Sequence, residues 1–321
     1  MIGVPMQNER IPARAYLVGV DGSEQSTDAV AWAAAQSSVS GRPLALVRAL
    51  DWQWSTMTML PFPPVAAPGT GDQQVREALR AELDRVVERT RAAYPGVEVV
   101  GAAHTGHPAL VLGELADESE AEAVVIGASG SGALGHALLG STASEVVRGT
   151  DRPVVVVRGR FAEQADKPVV VGVDGTDTSA RAILFAFEHA AARNLPVTIV
   201  HAWSHTTLDP VVAPFLTPDD RSGRPVRDAV SATITAQVEQ CQRLHPDVRV
   251  ERLDPAEHPI SALTDLSHEA SLLVVGSHGR GRLGRALLGS VSQAMLNHAA
   301  CPTAVLRELD DDPTEQADKG P

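Results

Sequence analysis

Two glycine-spaced stretches offer the chain's best material for chemistry. The first runs Gly127, two residues, Gly130, nine residues, Gly140, Ser141; the second runs Gly276, two residues, Gly279, nine residues, Gly289, Ser290. Glycine permits positive φ and lets backbone approach a ligand with no Cβ between them. Consecutive amides can then wrap an anion. Each stretch ends in a Gly-Ser that opens a helix, so free N–H groups and a capping hydroxyl would face the same anion. Thr142 and Ser292 add hydroxyls just beyond, and Val291 lies between Ser290 and Ser292. The chemistry predicted is phosphate binding. Arg280, Arg282 and Arg285 stand in the second stretch where the first has Ser131, Ala133 and His136. If these arginines face the ligand, charge-assisted bonds make the second site the tighter one; otherwise they face water.

A second pair of polar residues sits near the start of each half. Val18 to Ser23 read VGVDGS and Val171 to Thr176 read VGVDGT. Asp21 and Asp174 precede glycine at a strand end. They can serve as turn formers or accept from a ribose hydroxyl, and the residues alone leave both open.

Other phosphate chemistry is poorly supported. Lys167 and Lys319 are the only lysines, and no GxxxxGK[ST] occurs, which excludes a Walker-type site. The strand-one motif is not a GxGxxG opening a helix, and no fifth-strand lysine exists for a response-regulator receiver. His104 and His107 form an HxxH without a counterpart in the second half, too little for zinc. His278 and His298 read as solvent-facing or capping. No catalytic residue and no metal ligand is assigned.

The motifs recur at near-constant distance. VGVDGS and VGVDGT are 153 residues apart; LGHALLGS from Leu134 and LGRALLGS from Leu283 are 149 apart. One unit has been duplicated, giving domains at 14–158 and 168–308, a linker at 159–167 and an acidic, disordered tail at 309–321. Strands are expected at Tyr16–Val20, Leu44–Ala49, Val97–Gly101, Val124–Ile126 and Val154–Val157. The second half repeats them at Val169–Val173, Val197–Ala202, Val248–Leu253, Leu272–Val275 and Thr303–Leu306. Ser23 reads as a helix N-cap. Val75, Leu79, Leu83, Val86 and Thr90 form a one-faced helical stripe, and Pro108–Glu118 is a helix with Pro in its first turn.

Strands alternating with helices define an α/β class: two tandem domains, each a five-stranded, mostly parallel open sheet with helices on both faces. Such a sheet binds ligands at the carboxyl ends of its strands. Pro-rich insertions at 55–71 and 204–224 sit at that end, as lids or as slack chain. Aromatics are only 3%, so the cores must be aliphatic, which suits strands buried on both faces. A net charge of −13 argues against nucleic acid and anionic membrane as partners. The N-terminus lacks a signal-peptide pattern, and a cytoplasmic location is expected. Cys241 and Cys301 read as core residues.

VGVDGS and VGVDGT on strand one, with G-x2-G-x9-G-S after strand four, resemble the universal stress protein family, specifically its ATP-binding branch. The fold this resemblance implies is Rossmann-like, of the adenine nucleotide alpha hydrolase type. By resemblance, Asp21 and Asp174 contact the nucleotide near its ribose, Gly19 and Gly172 line the pocket, and backbone at Ala49 and Ala202 meets adenine. Gly127, Gly130, Gly140 and Ser141, with Gly276, Gly279, Gly289 and Ser290, hold the phosphates. The family's Gly-x-Pro is kept at Gly106-His107-Pro108 but becomes Glu257-His258-Pro259 in the second half. The implied function is a regulator in stress response or dormancy that binds one ATP, with Mg2+, per domain. The alternatives are a slow ATPase or autokinase using the same sites, and an interaction protein that has lost nucleotide. The halves are expected to pair through their fifth strands. A homodimer and a regulatory protein partner are left open.

Overall fold

Runs of Val, Ile, Leu and Ala, too short for helices and bounded by turn residues, become strands because β-branched side chains pack well on a pleated, doubly buried surface. The computed structural model of the chain describes residues 10–50, 70–130, 139–159, 161–203, 224–278 and 288–307. The first half runs β1 (Tyr16–Gly19), α1 (Glu24–Ser40), β2 (Leu44–Leu50), α2 (Thr70–Ala93), β3 (Val99–Thr105), α3 (Pro108–Glu118), β4 (Ala123–Gly127), α4 (Ser141–Gly149) and β5 (Val154–Val157). A 3-10 turn at Phe161–Gln164 follows. The second half runs β6 (Val169–Gly172), α5 (Asp177–Arg193), β7 (Val197–Val200), α6 (Arg224–Leu244), β8 (Val250–Leu253), α7 (Pro259–Ser267), β9 (Leu272–Gly276), α8 (Ser290–His298) and β10 (Thr303–Leu306).

All ten strands form one sheet, in the order β3-β2-β1-β4-β5-β10-β9-β6-β7-β8. Within each half every pairing is parallel. The fifth strands meet antiparallel, Val154 opposite Val305, Val155 opposite Ala304 and Val156 opposite Thr303. Because side chains alternate across a strand, Val155 and Val157 join one apolar layer, under α1, α2, α5 and α6. Val154 and Val156 join the other, under α3, α4, α7 and α8. Both layers run through the seam into both halves.

Local signals start and stop the helices. Ser23 caps α1, its side chain accepting from Ser26 N–H, and Gly41 ends it at φ 69°. Thr176 and Asn194 do the same for α5. α3 and α7 each open on proline, where a missing N–H costs nothing. In the stripe on α2, Leu83 and Thr90 are buried and Val87 joins them, while Val86 is half-buried; the side chain of Val75 lies outside the described residues. β3 lies two to four residues later than its apolar run suggests. β8 is shorter than expected and carries half-exposed to exposed Val250 and Glu251. Both are edge strands, where small and polar residues such as Ala102, Ala103, His104 and Glu251 are tolerated. The linker is anchored: Gln164 Nε2 donates to His268 O at 2.8 Å and Lys167 Nζ meets Glu269 Oε2 at 2.6 Å. Cys241 and Cys301 are free, buried thiols, and burial pushes Cys301 up to about 12. The insertions at 55–71 and 204–224 fall almost wholly outside the described residues, and the tail at 309–321 lies entirely outside them.

At the seam Trp32 of α1 stacks on His189 of α5, ring centroids 5.9 Å apart and planes 8° from parallel. Burial first, and Arg193 second, hold His189 down at about 3, against an ordinary 6.5. The folded chain therefore keeps a neutral imidazole where the unfolded chain binds a proton. That contribution to stability is complete above about pH 6.5 and is lost as the pH falls toward 3. At about 1.4 kcal/mol per pH unit, acidification from pH 7 to pH 5 should cost about 2 kcal/mol. Urea unfolding at both values measures it, and His189→Phe should remove that part of the slope. An unchanged slope in the variant would show that His189 is not the group responsible.

Candidate functional site

In each half, the crossover after the first strand passes over one face of the sheet and the crossover after the fourth passes over the other. The strand ends between them, β1 and β4 or β6 and β9, form the switch-point crevice where open α/β sheets take ligands. Each crevice holds a cavity, about 490 Å³ in the first half and about 300 Å³ in the second. Both lie in the range of small-molecule sites.

The first cavity gathers every site residue predicted for that half. Gly19 and Asp21 come from the end of β1, Ala49 from β2, Gly127 and Gly130 from the loop after β4, and Gly140, Ser141 and Thr142 from the start of α4. The second gathers Gly172, Asp174, Ala202, Gly276, Gly289, Ser290, Val291 and Ser292. Gly279, Arg280, Arg282 and Arg285 lie outside the described residues, as do Ser131, Ala133 and His136.

Main chain supplies most of the polar groups. Val20 N–H donates to Val47 O across the β1–β2 pair, so the backbone of Val47 faces β1. Backbone groups alternate sides along a strand, hence Ala49, two residues on, turns its N–H and C=O the same way, past the point where β1 has ended. Gly106 N–H donating to Leu50 O on the β3 side fixes the alternation. The second half repeats it: Val173 N–H donates to Val200 O, His201 N–H to Leu253 O, and Ala202 faces the cavity.

At the opposite end of each cavity a helix begins. The capping hydroxyls expected of Ser141 and Ser290 are not what starts these helices. The N-caps are Gly140 and Gly289, with φ −65° and −64°, and neither helix has a side-chain cap. The first intrahelical bonds run from Ser144 N–H to Gly140 O and from Gln293 N–H to Gly289 O. The first-turn amides of both helices therefore need another acceptor. Ser141 and Ser290 instead occupy the exposed first helical position.

The glycines are required by contact. A Cβ at Gly127 would come within 2.7 Å of the Gln25 backbone, and one at Gly276 within 2.8 Å of Thr178 Cγ2, because α1 and α5 cross directly over them. A Cβ at Gly130 would meet Asp21 Oδ2 at 2.7 Å. Both aspartates also close turns. Asp21 Oδ1 accepts from Ser23 N–H at 2.9 Å and from its hydroxyl at 2.6 Å. Asp174 Oδ1 accepts from Thr176 N–H and the Thr176 and Ser179 hydroxyls. The glycines that follow, Gly22 and Gly175, sit at φ 84° and 82°.

Several lining residues are not singled out by the sequence. Ser129 lines the first cavity and His278, at the equivalent position, lines the second; His278 is thus placed at the site rather than in solvent or at a cap. Its Nδ1 is 3.0 Å from Ser277 Oγ, and its buried Nε2 has no hydrogen-bond partner among the described residues. Its position between Gly276 and Gly279 was the available signal. Ser292 lies at the second cavity, but its hydroxyl sits 3.0 Å from Ser277 O and 2.9 Å from Gly289 O, tying loop to helix. Pro108 and Leu112, and Pro259 and Leu263, give each cavity an apolar wall. The lost Gly-x-Pro in the second half leaves the helix start intact: Pro259 is still in the first turn, and the His258 ring accepts from Ile260 N–H at 3.3 Å. Among the described residues, no three His, Cys, Asp or Glu side chains cluster as a metal site. No described helix is long and apolar enough to cross a membrane.

Comparison with known proteins agrees with this architecture. A model of the universal stress protein family matches residues 13–158 and 167–307. A universal stress protein of Mycobacterium tuberculosis is 35% identical over 298 residues, covering 91% of this chain and 96% of the relative. One from Mycolicibacterium smegmatis is 32% identical over 305 residues, with 91% and 96% covered. Among solved structures, a universal stress protein from Archaeoglobus fulgidus superposes with a TM-score of 0.63 at 17% identity, covering 92% of this chain and 99% of that one.

The two loop glycines should respond differently to substitution. At Gly127 the added methyl meets helix backbone at 2.7 Å, which cannot step aside, whereas at Gly276 it meets the Thr178 side chain, with backbone no nearer than His278 O at 3.4 Å. Gly127→Ala should lower stability by about 1–3 kcal/mol and Gly276→Ala by clearly less. Thermal and urea melts of the two variants check this, and equal losses would contradict the contact account.

Proposed function

As this chain belongs to the universal stress protein family, we propose that each half binds one ATP and that the protein acts as a nucleotide-dependent regulator. The observation that carries this reading is the uncapped helix start at Gly140 and Gly289, whose free amides face a cavity. An anion satisfies them at no cost to secondary structure, and the helix dipole adds to the attraction. At the far end of each cavity, the N–H and C=O of Ala49 or Ala202 offer a donor and an acceptor side by side. Adenine presents the complementary pair, its amino group and an adjacent ring nitrogen. Between them, the Asp21 and Asp174 carboxylates line the cavities and are acceptors suited to ribose hydroxyls.

Mg2+ fits this scheme as a companion of the triphosphate, since the described residues offer no cluster to hold it independently. Regulation is favoured over turnover because, among the described residues, the carboxylate lining the first cavity is that of Asp21, which already closes the turn after β1. The second reading, slow hydrolysis or autophosphorylation at the same sites, draws on one observation: the unpartnered Nε2 of His278 in the second cavity. Magnesium-dependent turnover that His278→Gln abolishes would favour it. Because β5 and β10 occupy each other's edges, a homodimer would have to use another surface. A cytoplasmic location and a regulatory protein partner belong to the same proposal.

Calorimetric titration with Mg-ATP should give two equivalents per chain. Ser141→Asp and Ser290→Asp should each remove one, weakening that site at least about tenfold, because a carboxylate at the first helical position repels phosphate while suiting the helix dipole. The double variant should fold and bind none. Failure of the unmodified chain to bind Mg-ATP would overturn the reading.

A further inference from the structure

Each phosphate-facing helix is held at its far end by the opposite half. Arg158, the residue after β5, crosses the seam. Its Nη2 donates to Leu296 O at 2.8 Å and its Nη1 to Asn297 O, at the C-terminal end of α8. Arg307, the residue after β10, donates from Nη1 to Arg148 O at the C-terminal end of α4. Arg307 is 7% exposed, and Arg158 is half-buried. The two arginines are 149 residues apart, the offset of the glycine loops themselves.

The antiparallel seam explains the crossing. With β5 and β10 running in opposite directions, the carboxyl ends of the two sets of strands lie at opposite edges of the sheet. α4 starts at the first cavity and runs to the other edge, which is where β10 ends and Arg307 emerges. α8 and Arg158 stand in the same relation.

Hydrogen bonds close a circuit through both cavities. Ala128 N–H, in the first loop, donates to Val157 O, the residue before Arg158. Arg158 holds α8, which begins at Gly289, and Gly289 N–H donates to Ser277 O in the second loop. Ser277 N–H donates to Leu306 O, the residue before Arg307. Arg307 holds α4, which begins at Gly140, and Gly140 N–H returns to Ala128 O. One further link has no mirror image among the described residues: Leu139 N–H, beside Gly140, donates to Asn297 Oδ1 at 3.2 Å, whereas Arg148 occupies the position in α4 equivalent to Asn297.

We propose that Arg158 and Arg307 are positioning residues that couple the two sites, each setting the affinity of the site in the opposite half. This rests on the reading that both cavities bind ATP. Phosphate at the N-terminus and guanidinium at the C-terminus of one helix act on the same dipole. A helix already fixed by its distant arginine has less freedom to lose when phosphate arrives. Coupling of this kind is reciprocal, so ATP in either site strengthens the other by the same factor.

The test titrates Mg-ATP into the full chain with one site blocked: Ser290→Asp leaves the first site open, and Ser141→Asp the second. Arg307→Met should weaken the first site about tenfold and the second by less than about twofold; Arg158→Met should do the reverse. Arg307→Lys, which keeps the charge, should recover part of the loss if the methionine variant folds poorly. Asn297→Ala, a mild change on a half-buried helix position, should weaken the first site severalfold and spare the second. Losses confined to the arginine's own half, equal losses at both sites, or no loss would each overturn the proposal while ATP binding itself stood. Absence of ATP binding in the singly blocked parents and the unmodified chain would instead overturn the reading beneath it.

Discussion

The pairing of β5 with β10 is the constraint from which the rest of the molecule follows. Val154 to Val157 are buried to 1% exposure or less, and either half alone would present them as an open, apolar edge. Pairing them removes the edge, and alternation along the strand sends successive valines into opposite layers, so two apolar layers become continuous across the chain. The antiparallel sense has a further effect. It points the carboxyl ends of the two half-sheets in opposite directions and brings the arginine after each half's last strand to the C-terminal end of the helix that opens the other half's cavity. Duplication with this join gives a chain whose two cavities lie in different halves yet are linked by hydrogen bonds across the seam.

The sites themselves depend on what is missing. Among the described residues no lysine lines either cavity, and the net charge of −13 repels anions at long range. Among the described residues, oriented amides are the groups suited to attract an anion under the proposed reading, and they require backbone to reach the ligand without side chains in the way. Gly127 and Gly276 satisfy a steric demand of the helix crossing above them, and Gly140 and Gly289 leave the next helix uncapped. The cost of those unsatisfied amides is what an anion relieves. The halves are not identical, however. The second cavity is smaller and carries His278 where the first has Ser129, and its helix start has Val291 where the first has Thr142. Duplication preserved the backbone geometry and let the side chains diverge.

Much of this was legible in the residues. Val154–Val157 and Thr303–Leu306 were placed to the residue, because continuous β-branched runs admit little else in a parallel sheet. Pro108–Glu118 was equally clear from the proline in its first turn. β3 was displaced because an edge strand need not be apolar, and Ala102 to Thr105 carry no strong signal of their own. The loop glycines predict an anion site, which the proposed function retains, but the serine after each pair suggests a side-chain cap where the cap is glycine. His278 was misplaced because a lone histidine in a loop gives no sign of which way it faces. The crossed arginines were hidden for a different reason. Arg158 lies at the last position before what reads as a linker, and its partners are 138 and 139 residues away; only the seam brings them together.

The central claim is that two adenine nucleotides lie across one continuous sheet, one at each edge. A crystal structure of the chain grown with Mg-ATP tests this most directly. The account predicts triphosphate at the first turns of both α4 and α8, with adenine against the backbone of Ala49 and Ala202. Nucleotide seated elsewhere, or both crevices remaining empty at saturating Mg-ATP, would contradict it.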